Sequence, residues 1–309
     1  MRGERGFALV ITLIVTALLV ALLAEFVNEV YVDTSHSHNF VASQQASILA
    51  ESGIQGGYQL LQYSALLRAG ASYSALTEKW AQPFSYDTGD GTVTVTIEEE
   101  SGKLDLNAVV TENGKYLDGA EVALRLFKNL KLSPDLVDVI MDWGDLNDAP
   151  NPAGAETSYY KTLKAPYKAK NGKFYTVEEL GLLKGFTPTI VAKLKPFVTV
   201  GNGSNQVKVN INTAPKEVLL ALDESMTEDL VQRILDYRKT TPIKAADVKN
   251  ITGLDRVYNS ISLKIGFMGS LYRIHSEGKV GDSIAVVEAV VPVSEGTGIP
   301  TSTIYWREY

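Results

Sequence analysis

The sequence has no cysteine and only three histidines among 309 residues. Without cysteine the chain cannot be braced by disulfides, so its stability must come from its core or from a bound metal. A thiol nucleophile is excluded as well, and neither a Gly-x-Ser-x-Gly elbow nor a phosphate-loop lysine occurs. His36 and His38 are two residues apart and do not share a helix face, and His275 stands alone. The polar turn at residues 201–205 has no lysine partner. These absences leave no residue set for catalysis, and the chain is expected not to be an enzyme. A basic surplus is also missing. The formal charge is −7, which argues against a nucleic-acid binder. No proline precedes Pro83, and no fixed-period repeat or low-complexity tract is present.

What the sequence does have begins at its start. Residues 1–6 carry Arg2, Glu4 and Arg5, and Phe7 to Ala24 is free of charge. As a helix those residues span roughly 27 Å, close to the thickness of a bilayer core. The flanking arginines favour a cytoplasmic start and place the remainder on the other side. Three readings fit: a plain single-span anchor, a secretory signal, or a short charged leader ending at Gly6 with an apolar helix starting at Phe7. The signal reading puts Leu22 where a small residue is required before cleavage after Ala24. Beyond the apolar run, Ala46, Ala50, Gly53, Gly57 and Leu60 recur at helical spacing. One helix from about Phe7 to about Leu67 is predicted, with small residues on the face that meets another layer.

Further along, Thr92 to Ile97 alternates and is β-branched, which predicts a strand. Lys103 to Asn107 is a candidate partner strand. Helical patterns start at Glu121 and at Ser133-Pro134. Leu271–Gly278 and Ile284–Val291 predict two strands around Gly281-Asp282, and Ser302–Arg307 a third. Between these lies a run of oxygen donors: Asp142, Asp145, Asn147, Asp148 and Glu156, with Gly144 and Gly154. Such a set suits Ca²⁺, which takes six to eight oxygens. It also reads as a polar loop in which Asp and Asn cap turns.

Several motifs converge on one resemblance. The leader junction Arg5-Gly6-Phe7 and the long helix resemble type IV pilins. Asp142-Trp143-Gly144-Asp145-Leu146-Asn147, then Gly154-Ala155-Glu156, then Tyr159 and Tyr160, resemble the K-type minor pseudopilins of type II secretion. So do Ala165-Pro166-Tyr167, Tyr175 to Leu180, and Asn210-Ile211-Asn212-Thr213-Ala214. The resemblance implies an α+β type IV pilin fold, a long N-terminal helix on an antiparallel sheet. Into it a large, mostly helical domain with helix-hairpin-helix or SAM-like modules is inserted. The expected parts are a leader at 1–6, a membrane half-helix at 7–27, and a pilin helix with first strands at 28–108. An inserted helical domain at 109–206, a second helical module at 207–262 and closing strands at 263–309 follow.

The resemblance also implies calcium as cofactor, with Asp142, Asp145, Asn147 and Glu156 as ligands. Thr157 stands where the family has a further Asp, which removes a carboxylate. Ile11 occupies the fifth position after the junction, where ordinary pilins carry a glutamate thought to pair with a neighbour's terminal amine. A subunit with nothing ahead of it has no such partner, and a lone carboxylate in lipid is costly. The implied protein is a non-enzymatic pseudopilus tip subunit that starts assembly and aids export across the outer membrane. It is cleaved by a prepilin peptidase after Gly6, N-methylated at Phe7, and anchored by one span in the bacterial inner membrane with its bulk in the periplasm. Its implied partners are the I- and J-type minor pseudopilins, the major pseudopilin, the inner-membrane assembly platform and membrane lipid.

Two other readings stay open, a type IV pilus tip subunit and a membrane-anchored DNA receptor. The second rests on Val207–Leu254, which resembles a helix-hairpin-helix module. Its hairpin position holds Asp223 and Glu224 and no glycine, and a phosphate would be repelled there. No nucleic acid is expected as partner.

Overall fold

The computed structural model describes residues 3–68, 70–110, 118–201, 206–294 and 303–309, with side chains from residue 7 onward. Met1 and Arg2 of the expected leader, residues 202–205 of the polar turn and Ser302 lie outside the described residues. Helix α1 (Gly3–Leu67) is unbroken, as the lack of proline allows. Its first part is exposed, and it is the one helix among the described residues long and apolar enough to cross a membrane. Its second part buries Ala42, Ala46, Ala50, Gly53, Ile54, Gly57 and Leu61. Leu61 therefore completes the small-residue face, with Leu60 half-buried beside it.

That face lies on a five-stranded antiparallel sheet. Strands β1 (Phe84–Asp87) and β2 (Thr92–Glu99) precede a long excursion of the chain. Two further pairs of strands lie within it: β3 (Leu104–Asp105) with β4 (Val198–Thr199), and β5 (Val209–Asn210) with β6 (Ile265–Gly266). Strands β7 (Leu271–Val280), β8 (Ser283–Pro292) and β9 (Tyr305–Glu308) then complete the sheet in the order β1-β2-β7-β8-β9. Gly281 supplies the left-handed turn between β7 and β8, with φ +56°. Alternation decides which side faces the helix. Val93, Val95 and Ile97 of β2, Tyr272 and Ile274 of β7, and Val287, Ala289 and Val291 of β8 are buried against it. The helix sits close because small residues meet. A Cβ on Gly53 would lie 2.0 Å from Ser276 Oγ, and one on Gly278 would lie 2.2 Å from the Ala46 carbonyl oxygen.

The stretch between β2 and β7 is largely helical. Helices α2 (Asp118–Asn129), α3 (Asp135–Gly144), α4 (Thr157–Tyr160) and α5 (Pro188–Leu194) come first. Helices α6 (Lys216–Ala221), α7 (Glu228–Arg238) and α8 (Leu254–Ile261) follow. Their apolar faces form a second core running from Leu104 to Ile265, separate from the core under α1.

One expected strand pairing is corrected. Lys103–Asn107 does not pair with β2, whose neighbours are β1 and β7. The Glu99 carboxylate accepts from Ser101 N and the Asp105 carboxylate from Asn107 N, so two short 3-10 turns carry the chain away from the sheet. Leu104–Asp105 then pairs in parallel with Val198–Thr199.

The two cores meet at a buried polar joint. Asn210 Nδ2 donates to the Ser74 carbonyl at 3.0 Å and to Glu99 Oε2 at 3.2 Å, and Thr213 Oγ1 donates to the same oxygen. Ser101 Oγ accepts from Ser270 N and Leu271 N, the point where the chain returns to the sheet. Asn212 Oδ1 accepts from Ile243 N, and its amide donates to Ile243 and Phe267 carbonyls. The Asn-x-Asn-Thr run thus satisfies backbone groups that no regular ladder reaches.

Candidate metal centre

Helix α3 is buried nearly throughout and delivers Asp142 from its last turn. Asp145 is the residue that ends the helix, with its N–H donating to the Met141 carbonyl. Its Oδ1 accepts from Asn147 N at 3.0 Å, which turns the chain and aims Oδ2 elsewhere. Glu156 stands just before α4, whose Tyr159 and Tyr160 N–H groups donate to the Glu156 carbonyl.

One oxygen from each of Asp142, Asp145 and Glu156 can be chosen so that all three lie within 4.8 Å of one another. None of the three residues is more than 1% exposed. Asp142 is partly satisfied, since its Oδ1 accepts from Asn151 N at 3.1 Å and Asn151 Nδ2 at 2.6 Å. Asp145 Oδ2 and both Glu156 carboxylate oxygens are buried with no hydrogen-bond partner. Gly154 is required by this packing, because a Cβ there would lie 1.9 Å from Asp142 Oδ2.

Burial drives the electrostatics. Desolvation, and then the charges of Asp142, Asp145 and Asp148, push the Glu156 carboxyl up to about 7. Burial raises Asp142 and Asp145 too, against the hydrogen bonds from Asn151 and Asn147. Three converging carboxyls with orphaned oxygens are costly unless a cation or protons compensate them. The donor set is all oxygen, and it fits a hard divalent cation.

Of the four expected ligands, the structure brings Asp142, Asp145 and Glu156 together. The Asn147 amide oxygen accepts from Ala149 N at 2.7 Å and caps the following turn. Asn151 and Asp138 were not foreseen. Asp138 Oδ2 accepts from Ala153 N, and its place one helical turn before Asp142 was the available signal. Lys184, which donates to the Ala153 and Gly154 carbonyls, carried no local signal. Behind the carboxylates Trp143, Tyr160 and Tyr167 pack together, with Tyr160 and Tyr167 stacked at 5.1 Å. Trp143 Nε1 donates to Glu179 Oε2, which also accepts from Lys170.

The other singled-out residues lie apart. Phe7 and Ile11 are exposed on the apolar part of α1, as are His36 and His38 farther along it, while His275 lies in β7. In the hairpin between α6 and α7, Asp223 Oδ1 accepts from Ser225 N and Ser225 Oγ. The Ser225 hydroxyl holds the Asp223 carboxyl below its usual range. A built-in carboxylate therefore occupies an amide that a phosphate would need.

Comparison with known proteins agrees with the motifs. Two family profiles, both described as type II secretion system (T2SS), protein K, match residues 102–203 and 209–264. The type II secretion system protein K of Pseudomonas aeruginosa is 30% identical over 297 residues, covering 91% of this chain and 86% of the relative. The chain belongs to the type II secretion system protein K family. Another protein K, from Aeromonas hydrophila, is 26% identical and covers 94% of this chain and 93% of its own. A solved GspK-GspI-GspJ complex from enterotoxigenic Escherichia coli contains a chain matching with TM-score 0.72 and 18% identity, over 90% of this chain and 99% of that one. This last likeness bears on the fold: a long helix on an antiparallel sheet, as expected. Membership in the protein K family favours the secretion machine over the pilus and DNA-receptor readings.

Proposed function

We propose that this protein K is the non-enzymatic minor pseudopilin at the tip of the type II secretion pseudopilus, where it starts assembly. The observation that carries the reading is the joining of two unlike halves. A small-residue helix on a sheet can stack in a filament, while the helical bulk beside it suits an end position better than a middle one. Ile11 supports this, because a leading subunit has no neighbour's amine to pair with a carboxylate. The leader is cleaved between Gly6 and Phe7 and Phe7 is then N-methylated, leaving the bulk of the chain in the periplasm. The I- and J-type minor pseudopilins are its partners, as in the solved complex of similar fold.

Mass spectrometry of the native protein, crosslinked in membranes, tests the reading. A methylated N-terminus at Phe7 with crosslinks to pilin-like neighbours is expected. An intact Met1, or a start near Glu25 without such neighbours, overturns it.

Asp142, Asp145 and Glu156 are proposed to hold calcium, with Asn147 contributing to the turn between them. The ion would neutralise the three carboxyls and tie the end of α3 to residues 145–156. The orphaned oxygens of Asp145 and Glu156 support this assignment. Titration calorimetry should detect binding that is weakened but still measurable in Asp145→Asn, and an unchanged affinity in that variant counts against the site.

A further inference from the structure

We propose that Asn171 is the positioning residue of the cation site, an inference that rests on the calcium reading above. Among the described residues, Asn171 makes no hydrogen bond to any of the three carboxylates. Its Nδ2 donates instead to the Asn147 carbonyl at 3.0 Å and to Asp148 Oδ1 at 3.2 Å. Two acceptors on that side decide which way the amide points, since the flipped amide would set oxygen against oxygen. The remaining oxygen, Oδ1, is then buried without a partner. The backbone of Asn171 also sits in the left-handed region, with φ +45°. An orphaned amide oxygen and a left-handed backbone are two local costs at one residue. Such costs persist where the surroundings require that position.

The requirement follows from the geometry of the ligand turn. Asp145 commits Oδ1 to Asn147 N, so the direction of its free Oδ2 depends on where the Asn147 peptide lies. Asn147 is gripped at both ends: its N–H by Asp145, its carbonyl by Asn171. The next residue, Gly172, donates its N–H to the Trp143 carbonyl and moors the strap to the end of α3. Asn171 thus brings a distant loop across the turn and sets the aim of one ligand without being one.

The test uses the full chain in detergent, with calcium as the probe. Asn171→Gly keeps the left-handed backbone accessible and removes only the strap. Its calcium affinity should fall about 10- to 100-fold, the range for partners that orient metal ligands. In the calcium-free protein its thermal midpoint should stay near wild type, while amide exchange at Asn147 and Ala149 becomes faster. Because the strap acts through Asp145, the affinity losses of Asn171→Gly and Asp145→Asn should be less than additive in the double variant. Wild-type affinity within about twofold in Asn171→Gly overturns the proposal while leaving the calcium site intact. Failure of the wild-type chain to bind calcium overturns both.

Discussion

The two cores of this molecule are built in opposite ways. Under α1, long regular elements pack by small side chains, and β2 and β7 share eight consecutive residue pairs. In the helical region, β3–β4 and β5–β6 share two pairs each, and the helices are short. Regular ladders satisfy backbone groups by themselves. Where they are missing, side chains take over: Asn212 bonds Ile243 on both sides, Arg125 donates to the Ala221 and Leu222 carbonyls, and Asp145 caps Asn147. Both cores are apolar, but the first rests on long ladders and small side chains while the second adds buried polar bonds where ladders are short.

The largest expected effect tests the shape side. Gly278→Val places a Cβ 2.2 Å from the Ala46 carbonyl oxygen and 2.6 Å from Ala50 N, both backbone atoms that cannot swing aside. Overpacking of this kind costs about 3 kcal/mol or more. The β7–α1 contact should open, read as loss of amide-exchange protection along β7. Gly181, in the helical region, has nothing within 4 Å of its would-be Cβ, and Gly181→Ala should change stability by less than about 0.5 kcal/mol. Equal effects at the two glycines would mean that close backbone approach is not what makes Gly278 intolerant.

The next effect tests the chemical side. Calcium present at about 100 times its dissociation constant stabilises by roughly 2.7 kcal/mol. Chelation should lower the melting of the helical region by that order and leave protection of β2 and β7 unchanged. If both regions lose protection together, the cores are one cooperative unit and the contrast concerns construction only.

The same contrast explains what could be read in advance. Helix α1, β2, β7, β8 and β9 follow from period and turn residues, and so do the start of α3 and the body of α2, which begins at Asp118 rather than at the expected Glu121, because regular elements write their periodicity into the sequence. Strand β1 was missed, since Phe84–Asp87 is a mostly exposed edge strand with no alternation to detect. Lys103–Asn107 alternates like a sheet strand, but Glu99 and Asp105 divert it by side-chain capping. The carboxylates stood out by composition within one loop. Asn171 and Lys184 did not, because each reaches that loop from a separate stretch of chain. Side-chain-to-backbone bonds of that kind have no period.

The smallest effect sits where the cores meet. Glu99 is buried, and that burial raises its carboxyl above the ordinary value, against hydrogen bonds from Thr213, Ser101 and Asn210. Tyr272, its partner across the sheet, is pushed up in turn by burial and then by the Glu99 charge. A raised carboxyl favours the folded state while it is protonated, so its contribution is complete below the ordinary value and is lost as pH rises through the folded value. Glu99→Gln is neutral at every pH and turns an amide N–H₂ toward donors that Glu99 accepts from. It should therefore be less stable than wild type by about 1 kcal/mol below the ordinary carboxyl value, where both states of wild type are protonated. As the pH is raised through the folded value, wild type weakens while the variant does not, and the gap should narrow. Urea midpoints at several pH values measure this directly. A constant gap would mean that Glu99 keeps one charge state throughout, held by the bonds from Ser101 N, Asn210 and Thr213, and that the joint is no more sensitive to pH than the apolar core under α1.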